Sequence, residues 1–251
     1  VVINPSLDWG TDDRAQGPKY HILGLPDNGT YAELIAVPAE NVCPKPAALS
    51  WAQAAAIPLA GLTAYRALFS RAQLKAGETV LITGIGGGVA TLALLFARHA
   101  GARVLVTSGS DDKLARARDL GADGGVNYRV EGWAKQLQAL AGGGPDVIVD
   151  SAGKDSFASL LDIIKPGGRI VTFGATTGSP STIEVRKLFW KQISILGSTM
   201  GTAAEFGAML ELFARGLAPV VDQVWPLAET AAAHAHMDRA GQFGKIVLSI
   251  A

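Results

Sequence analysis

The chain has 251 residues, 49% of them hydrophobic and only 18% charged, a composition that fills one or two packed cores and excludes a disordered protein. Lysine plus arginine and aspartate plus glutamate stand equal at 22 each, so no net field gathers nucleic acid or an anionic membrane surface. Cys43 is the only cysteine, which excludes an internal disulfide and a multi-cysteine metal site and suits a reducing, cytoplasmic compartment.

In chain order, Val1-Val2-Ile3-Asn4-Pro5 reads as an interior strand ending at a turn, so the chain is expected to be a fragment or to lack its beginning. Val1–Asn4, Tyr31–Val37 and Asn41–Pro44 are short β-like runs, broken at Asp8-Trp9-Gly10, at Pro26-Asp27-Asn28-Gly29 and at Pro44 and Pro46. Ser50-Trp51-Ala52-Gln53 has capping-box spacing and opens a short alanine-rich helix that should end near Pro58.

From about residue 61 strands and helices alternate. A helix over Thr63–Ser70 comes first. Strands are expected at Thr79–Thr83, Arg103–Ser108, Gly125–Tyr128, Asp146–Asp150, Arg169–Phe173 and Ile193–Leu196. Between them fall helices at Val89–His99, Lys113–Leu120, Trp133–Ala141 and Phe157–Ile164. The strands are unbroken apolar runs, as burial on both faces of a parallel sheet requires. Six of them in this alternation give an α/β fold with a six-stranded, doubly wound parallel sheet. The nearest approach to a membrane span, Val80–Ala97, is broken by Gly84, Gly86, Gly87 and Gly88, so no crossing helix is expected. After Gly197 the alternation stops. Thr202-Ala203-Ala204-Glu205 is a second capping box, opening a helix to about Arg215. Val220–Val224 reads as a strand, Leu227–Met237 as a helix and Lys245–Ile250 as a closing strand, and this tail should rejoin the domain begun by residues 1–58.

The glycine-rich turn Gly84-Ile85-Gly86-Gly87-Gly88-Val89-Ala90 follows a strand and opens a helix. A dinucleotide pyrophosphate needs backbone N–H groups at a helix start, and a Cβ on the inner side of the turn would block it. Strict G-x-G-x-x-G spacing fails at Val89, while Gly84-x-x-Gly87-x-x-Ala90 fits a slightly longer loop. A carboxylate at the tip of the second strand would hold a ribose 2′-hydroxyl and repel a 2′-phosphate. None stands there: Ser108 and Ser110 offer hydroxyls and Lys113 a charge, a set that suits NADPH, although Asp111 and Asp112 follow closely.

Together with these features, several stretches resemble the medium-chain dehydrogenase/reductase superfamily: Gly29-Thr30-Tyr31-Ala32-Glu33, Gly61-Leu62-Thr63-Ala64-Tyr65, Lys75-Ala76-Gly77-Glu78, Leu120-Gly121-Ala122-Asp123, Lys165-Pro166-Gly167-Gly168-Arg169 and Phe243-Gly244-Lys245-Ile246-Val247-Leu248. The resemblance covers essentially the whole chain and is nearest to the zinc-independent quinone oxidoreductase-like branch, often described as zinc-binding alcohol dehydrogenase. It implies a GroES-like, mainly β catalytic domain from residues 1–60 and 198–251, with its N-terminal part missing, and a Rossmann dinucleotide-binding domain over 61–197. Zinc members carry cysteines in the lobe matching residues 4–20, and their catalytic-zinc cysteine would fall at Leu59, which cannot ligate. No metal is therefore expected. His234 and His236, two apart on a helix, face different ways and do not make a metal pair.

The resemblance also assigns roles. Thr63 would sit near the nicotinamide, with Tyr65 close by, and these two are the catalytic candidates; His21 is a further candidate proton donor. Gly84, Gly86, Gly87, Gly88 and Val89 would line the pyrophosphate, and Ser108, Lys113 and Tyr128 would hold the adenosine 2′-phosphate end. Phe173, Gly174 and Ala175 would border the nicotinamide ribose, Met200 lies in a segment that would cross the interdomain cleft, and Lys245 would face the cofactor phosphates. Without zinc an alcohol lacks the Lewis acid that lowers its pKa. The natural reaction is then hydride transfer from NADPH to a quinone or an enone-type C=C, a small-molecule substrate. A zinc-independent alcohol or aldehyde dehydrogenase and a non-catalytic NADPH-binding protein of the same fold are the alternatives. An unpaired apolar edge at Ile193–Leu196 implies a homodimer.

Overall fold

The computed structural model describes residues 1–154, 156–179 and 182–250. Four two-residue strands open the chain: β1 (Val2–Ile3), β2 (Ser6–Leu7), β3 (His21–Ile22) and β4 (Val42–Cys43). β1 pairs with β4 and β2 with β3, both antiparallel. Tyr31–Val37, expected as a strand, is not one. No neighbouring strand among the described residues pairs with it, and Leu34 is 90% and Tyr31 60% exposed.

Helix α1 (Trp51–Ala55) begins in the capping box its sequence promised: Gln53 N–H donates to Ser50 Oγ at 3.2 Å and Ser50 N–H to Gln53 Oε1 at 2.9 Å. Helix α2 (Pro58–Tyr65) starts at the proline that was expected to end α1. Proline has no N–H to lose in a first helical turn, so it begins a helix as readily as it stops one. The helix runs on into a π-helical stretch over Arg66–Arg71, where Ala72 N–H reaches back to the Ala67 carbonyl at 3.0 Å.

Strands β5 (Thr79–Ile82), β6 (Arg103–Ser108), β7 (Gly124–Asn127), β8 (Val147–Asp150), β9 (Arg169–Thr172) and β10 (Ser194–Gly197) form one parallel sheet in the order β10-β9-β8-β5-β6-β7. The chain moves outward from β5 to β7, then crosses back to β8 and moves outward the other way. That reversal, between β5 and β8, is where open α/β sheets form their ligand crevice. Helices α3 (Gly88–His99), α4 (Asp111–Asp119), α5 (Trp133–Leu140), α6 (Ser156–Ile163) and α7 (Val185–Lys191) link the strands. Leu81, Leu105, Ile148 and Ile170, one from each of four adjacent strands, are all 0% exposed, which explains why these strands carry no polar alternation. Helix α7 is not signalled in the sequence: it has no side-chain cap, and its Phe189 and Trp190 stay exposed. Lys191, at its end, donates from Nζ to the carbonyls of Leu161, Asp162 and Ile164, closing the C-terminal end of α6.

The chain ends with α8 (Ala203–Ala214), β11 (Val221–Pro226), α9 (Thr230–Asp238) and β12 (Lys245–Ser249), the two strands pairing in parallel. Thr202 and Glu205 form the second capping box, at 2.6 and 3.1 Å. The residues cluster into two compact units, Val1–Thr63 with Met200–Ala251, and Ala64–Thr199. The first has its own core around Ile57, Leu62, Phe206, Met209 and Phe213.

Candidate functional site

At the C-terminal end of β5 the chain turns through Gly84-Ile85-Gly86-Gly87 into α3. Gly84 and Gly86 have φ of +66° and +118°, conformations that a Cβ disfavours. The turn is tied to β6: Gly84 N–H donates to Thr107 Oγ1 at 3.2 Å, and Ile85 N–H donates to the Thr107 carbonyl at 2.8 Å. Gly87 is the N-cap residue of α3 and has no side chain to offer the first turn. The backbone donors there and the positive end of the helix dipole are left for an anion.

Strand β6 ends at Ser108, which is 4% exposed. Ser108 Oγ accepts the Ser110 N–H at 3.2 Å, and Ser110 Oγ accepts the Lys113 N–H at 3.4 Å to cap α4. The Lys113 side chain then lies back along the glycine turn. A Cβ built on Gly86 would stand 2.8 Å from its Cδ and 3.2 Å from its Nζ. A Cβ on Gly109, beyond the same strand tip, would stand 2.8 Å from both Tyr128 Oη and Arg129 Nε. Asp111, the first acid after the strand, accepts from Asn127 Nδ2 at 3.0 Å, and Asn127 Oδ1 accepts the Arg129 N–H at 3.0 Å. A lysine thus lies along a glycine-rich turn and an uncapped helix start, while a guanidinium and a phenol stand around Gly109, just past the buried Ser108 on the neighbouring strand. That set fits a long ligand carrying phosphate groups.

Against known proteins, the zinc-binding dehydrogenase family matches residues 88–215. A zinc-type alcohol dehydrogenase-like protein of Leptosphaeria maculans is 35% identical over 89% of this chain and 66% of its own length. A quinone oxidoreductase of Mus musculus is 31% identical, over 88% of this chain and 70% of its own length. The chain belongs to the zinc-binding dehydrogenase family, within the medium-chain dehydrogenase/reductase superfamily. A crystal structure of an NAD-dependent alcohol dehydrogenase superposes with a TM-score of 0.94 at 40% identity, over 99% of this chain and 75% of that one. A 2-octenoyl-CoA carboxylase reductase, solved with NADP and 2-octenoyl-CoA, superposes with a TM-score of 0.89 at 32% identity, over 93% of this chain and 57% of that one. The chain therefore spans only part of the length of its zinc-binding dehydrogenase relatives.

The other expected site residues fall in two groups. In the six-stranded unit, Phe173 is half-buried, and Gly174 and Ala175 are exposed, just past β9. Their loop is stitched to the one past β8: Thr176 donates from both N–H and Oγ1 to the Ser151 carbonyl at 2.9 Å, and Thr177 likewise to Ala152 at 3.0 and 2.8 Å. Asp150, at the tip of β8, is fully buried and accepts from Thr83 Oγ1 at 2.7 Å and from Gly153 N–H at 3.0 Å. Tyr65 packs edge-on against Phe69 and Phe96, with centroids 4.9 and 6.4 Å away. In the other unit, Thr63 is buried and donates from Oγ1 to the Leu59 carbonyl at 2.9 Å, with Met200 Sδ 3.8 Å away. Burial pushes the Lys245 ammonium below its usual pKa.

His236 bonds Asp222 at 2.9 Å, whereas His234 faces Tyr31 Oη at 3.4 Å, so the two histidines of α9 have different partners. Among the described residues no three of His, Cys, Asp and Glu stand together as metal ligands, and no helix is long and apolar enough to cross a membrane. Arg129 was missed in the sequence. Its only signal was a basic residue directly after the strand expected at Gly125–Tyr128.

Proposed function

We propose that this chain acts as an NADPH-dependent reductase of quinones or enone-type C=C bonds, working without zinc. The single observation that carries the cofactor choice is the tip of β6, where Ser108 ends the strand, Tyr128 stands over Gly109 and the first carboxylate that follows, Asp111, is engaged by Asn127. The NADP in a relative 32% identical supports the same choice. In this reading Gly84, Gly86, Gly87, Gly88 and Val89 would receive the diphosphate on the N–H groups of α3, with Lys113 beside them. Ser108 and Tyr128 would face the adenosine end. Phe173, Gly174 and Ala175 would border the nicotinamide ribose on a rim kept stiff by the Thr176 and Thr177 bonds. Thr63 would sit near the nicotinamide, and residues 1–60 and 198–251, which hold Met200 and Lys245, would form a second domain of the GroES-like kind.

When bound, the nicotinamide supplies or accepts a hydride. The protein's part is to orient it, exclude water and hold developing negative charge on hydrogen-bond donors. With Leu59 where the family's zinc cysteine would stand, alcohol oxidation loses its Lewis acid, and an electron-poor acceptor is the better substrate. The mouse quinone oxidoreductase is consistent with that acceptor class. A zinc-independent alcohol or aldehyde dehydrogenase is the second reading, favoured by 40% identity to a structure described as an alcohol dehydrogenase. The edge strand β10, whose only neighbour among the described residues is β9, supports a homodimer.

A substrate screen separates the readings. NADPH should be consumed with quinones or enones, and at an unchanged rate after treatment with a metal chelator. Turnover confined to alcohols with NADP⁺ or NAD⁺, or abolished by the chelator, would overturn the proposal.

A further inference from the structure

We infer that Arg129, held over Gly109 beside Tyr128, reads the phosphate on the adenosine ribose and sets the preference for NADPH over NADH. The inference rests on the cofactor reading above and adds a residue to it. Lys113, the obvious cation, lies along Gly86, with Nζ 3.2 Å from where a Cβ there would be. Its charge is therefore directed to the turn that receives the diphosphate. The far side of the strand tip then needs another cation, and Arg129 is the one beside it, its Nε 2.8 Å from a Gly109 Cβ position.

Two further observations support the assignment. The first is that Arg129 is exposed and no described residue pairs with its guanidinium, yet its backbone is fixed by the 3.0 Å bond from its N–H to Asn127 Oδ1. A surface arginine whose main chain is pinned while its donors stay unused is prepared for an external acceptor. The second is the other half of the same amide. Asn127 Nδ2 donates to Asp111 Oδ1 at 3.0 Å, so one side chain both pins the arginine's main chain and engages one of the two carboxylates, Asp111 and Asp112, that follow the strand. Tyr128 Oη, also without a partner among the described residues, stands 2.8 Å from the same Gly109 position and supplies a neutral donor. A guanidinium fork and a phenol around a residue with no Cβ match the size and charge of a phosphate monoester.

The test is nucleotide affinity, read from quenching of protein fluorescence by NADPH and NADH in wild type, Arg129→Ala and Arg129→Lys. Loss of a charge-assisted pair should weaken NADPH by about 10- to 100-fold in the alanine variant while NADH stays within about twofold. Lysine keeps the charge but loses the fork, so it should fall between. Retained NADH binding also reports that each variant is folded. If wild type prefers NADPH and Arg129→Ala keeps that preference, the role of Arg129 is overturned and the cofactor reading stands. If wild type holds NADPH no better than NADH, the cofactor reading fails and the inference falls with it.

Discussion

The two units solve the problem of burying a chain in different ways. Ala64–Thr199 is built on strands covered on both faces, with Leu81, Leu105, Ile148 and Ile170 wholly removed from water. In the unit of Val1–Thr63 and Met200–Ala251, most strands are only two residues long, and Leu34 and Tyr31 lie open to solvent. A parallel sheet concentrates its stability in a few side chains. Irregular structure spreads it over caps and side-chain hydrogen bonds such as those of Asn41 and Thr202.

The sharpest way to break that contrast is to delete the same side chain from each unit. Leu105→Ala removes a buried side chain from the centre of the sheet and should cost about 2–5 kcal/mol in urea unfolding. Leu34→Ala, at 90% exposure, should stay within about 0.5 kcal/mol of wild type. Equal losses would mean that the exposed run is covered in solution.

A smaller effect is expected at the sheet's polar tip. Asp150→Ala strips an acceptor from Thr83 and from Gly153 N–H, and an unsatisfied buried donor costs about 1–3 kcal/mol. Thr83 Oγ1 has the Val149 carbonyl 3.5 Å away as a substitute, so the loss should lie toward the lower end in thermal unfolding.

The smallest effect concerns pH. Burial pushes the Asp146 carboxyl up, but the Lys165 ammonium, the Thr79 N–H and Arg169 outweigh it, and its pKa falls below the usual value. A depressed carboxylate pKa stabilises the fold above the unfolded-state pKa, and that contribution disappears as pH falls through the folded value. Stability measured from neutral to acid should therefore fall less steeply in Asp146→Asn than in wild type. An unchanged slope would show that Asp146 is not coupled to folding.

Most of the sheet was legible because unbroken apolar runs between helical segments admit few other arrangements, and both capping boxes were legible because their spacing is local. Tyr31–Val37 was not: apolarity says nothing about whether a pairing strand is at hand. Pro58 misled because proline serves both ends of a helix. Helix α7 escaped because most of its apolar residues, Val185, Phe189 and Trp190, point outward. At the candidate site, the glycines, Ser108 and Lys113 were read from strand-turn-helix order, and Tyr128 from the family resemblance. Arg129 did not, because its proximity to Gly109 depends on β6 and β7 lying side by side.

Gly109, Asn127, Tyr128 and Arg129 hang from the ends of β6 and β7, and none of them is among the buried hydrophobic residues. What holds the molecule up and what would decide its choice of nucleotide are thus written in separate parts of the chain. The first is constrained by packing, while the second can be redrafted a residue at a time, which would let one scaffold take a different electron source without being rebuilt.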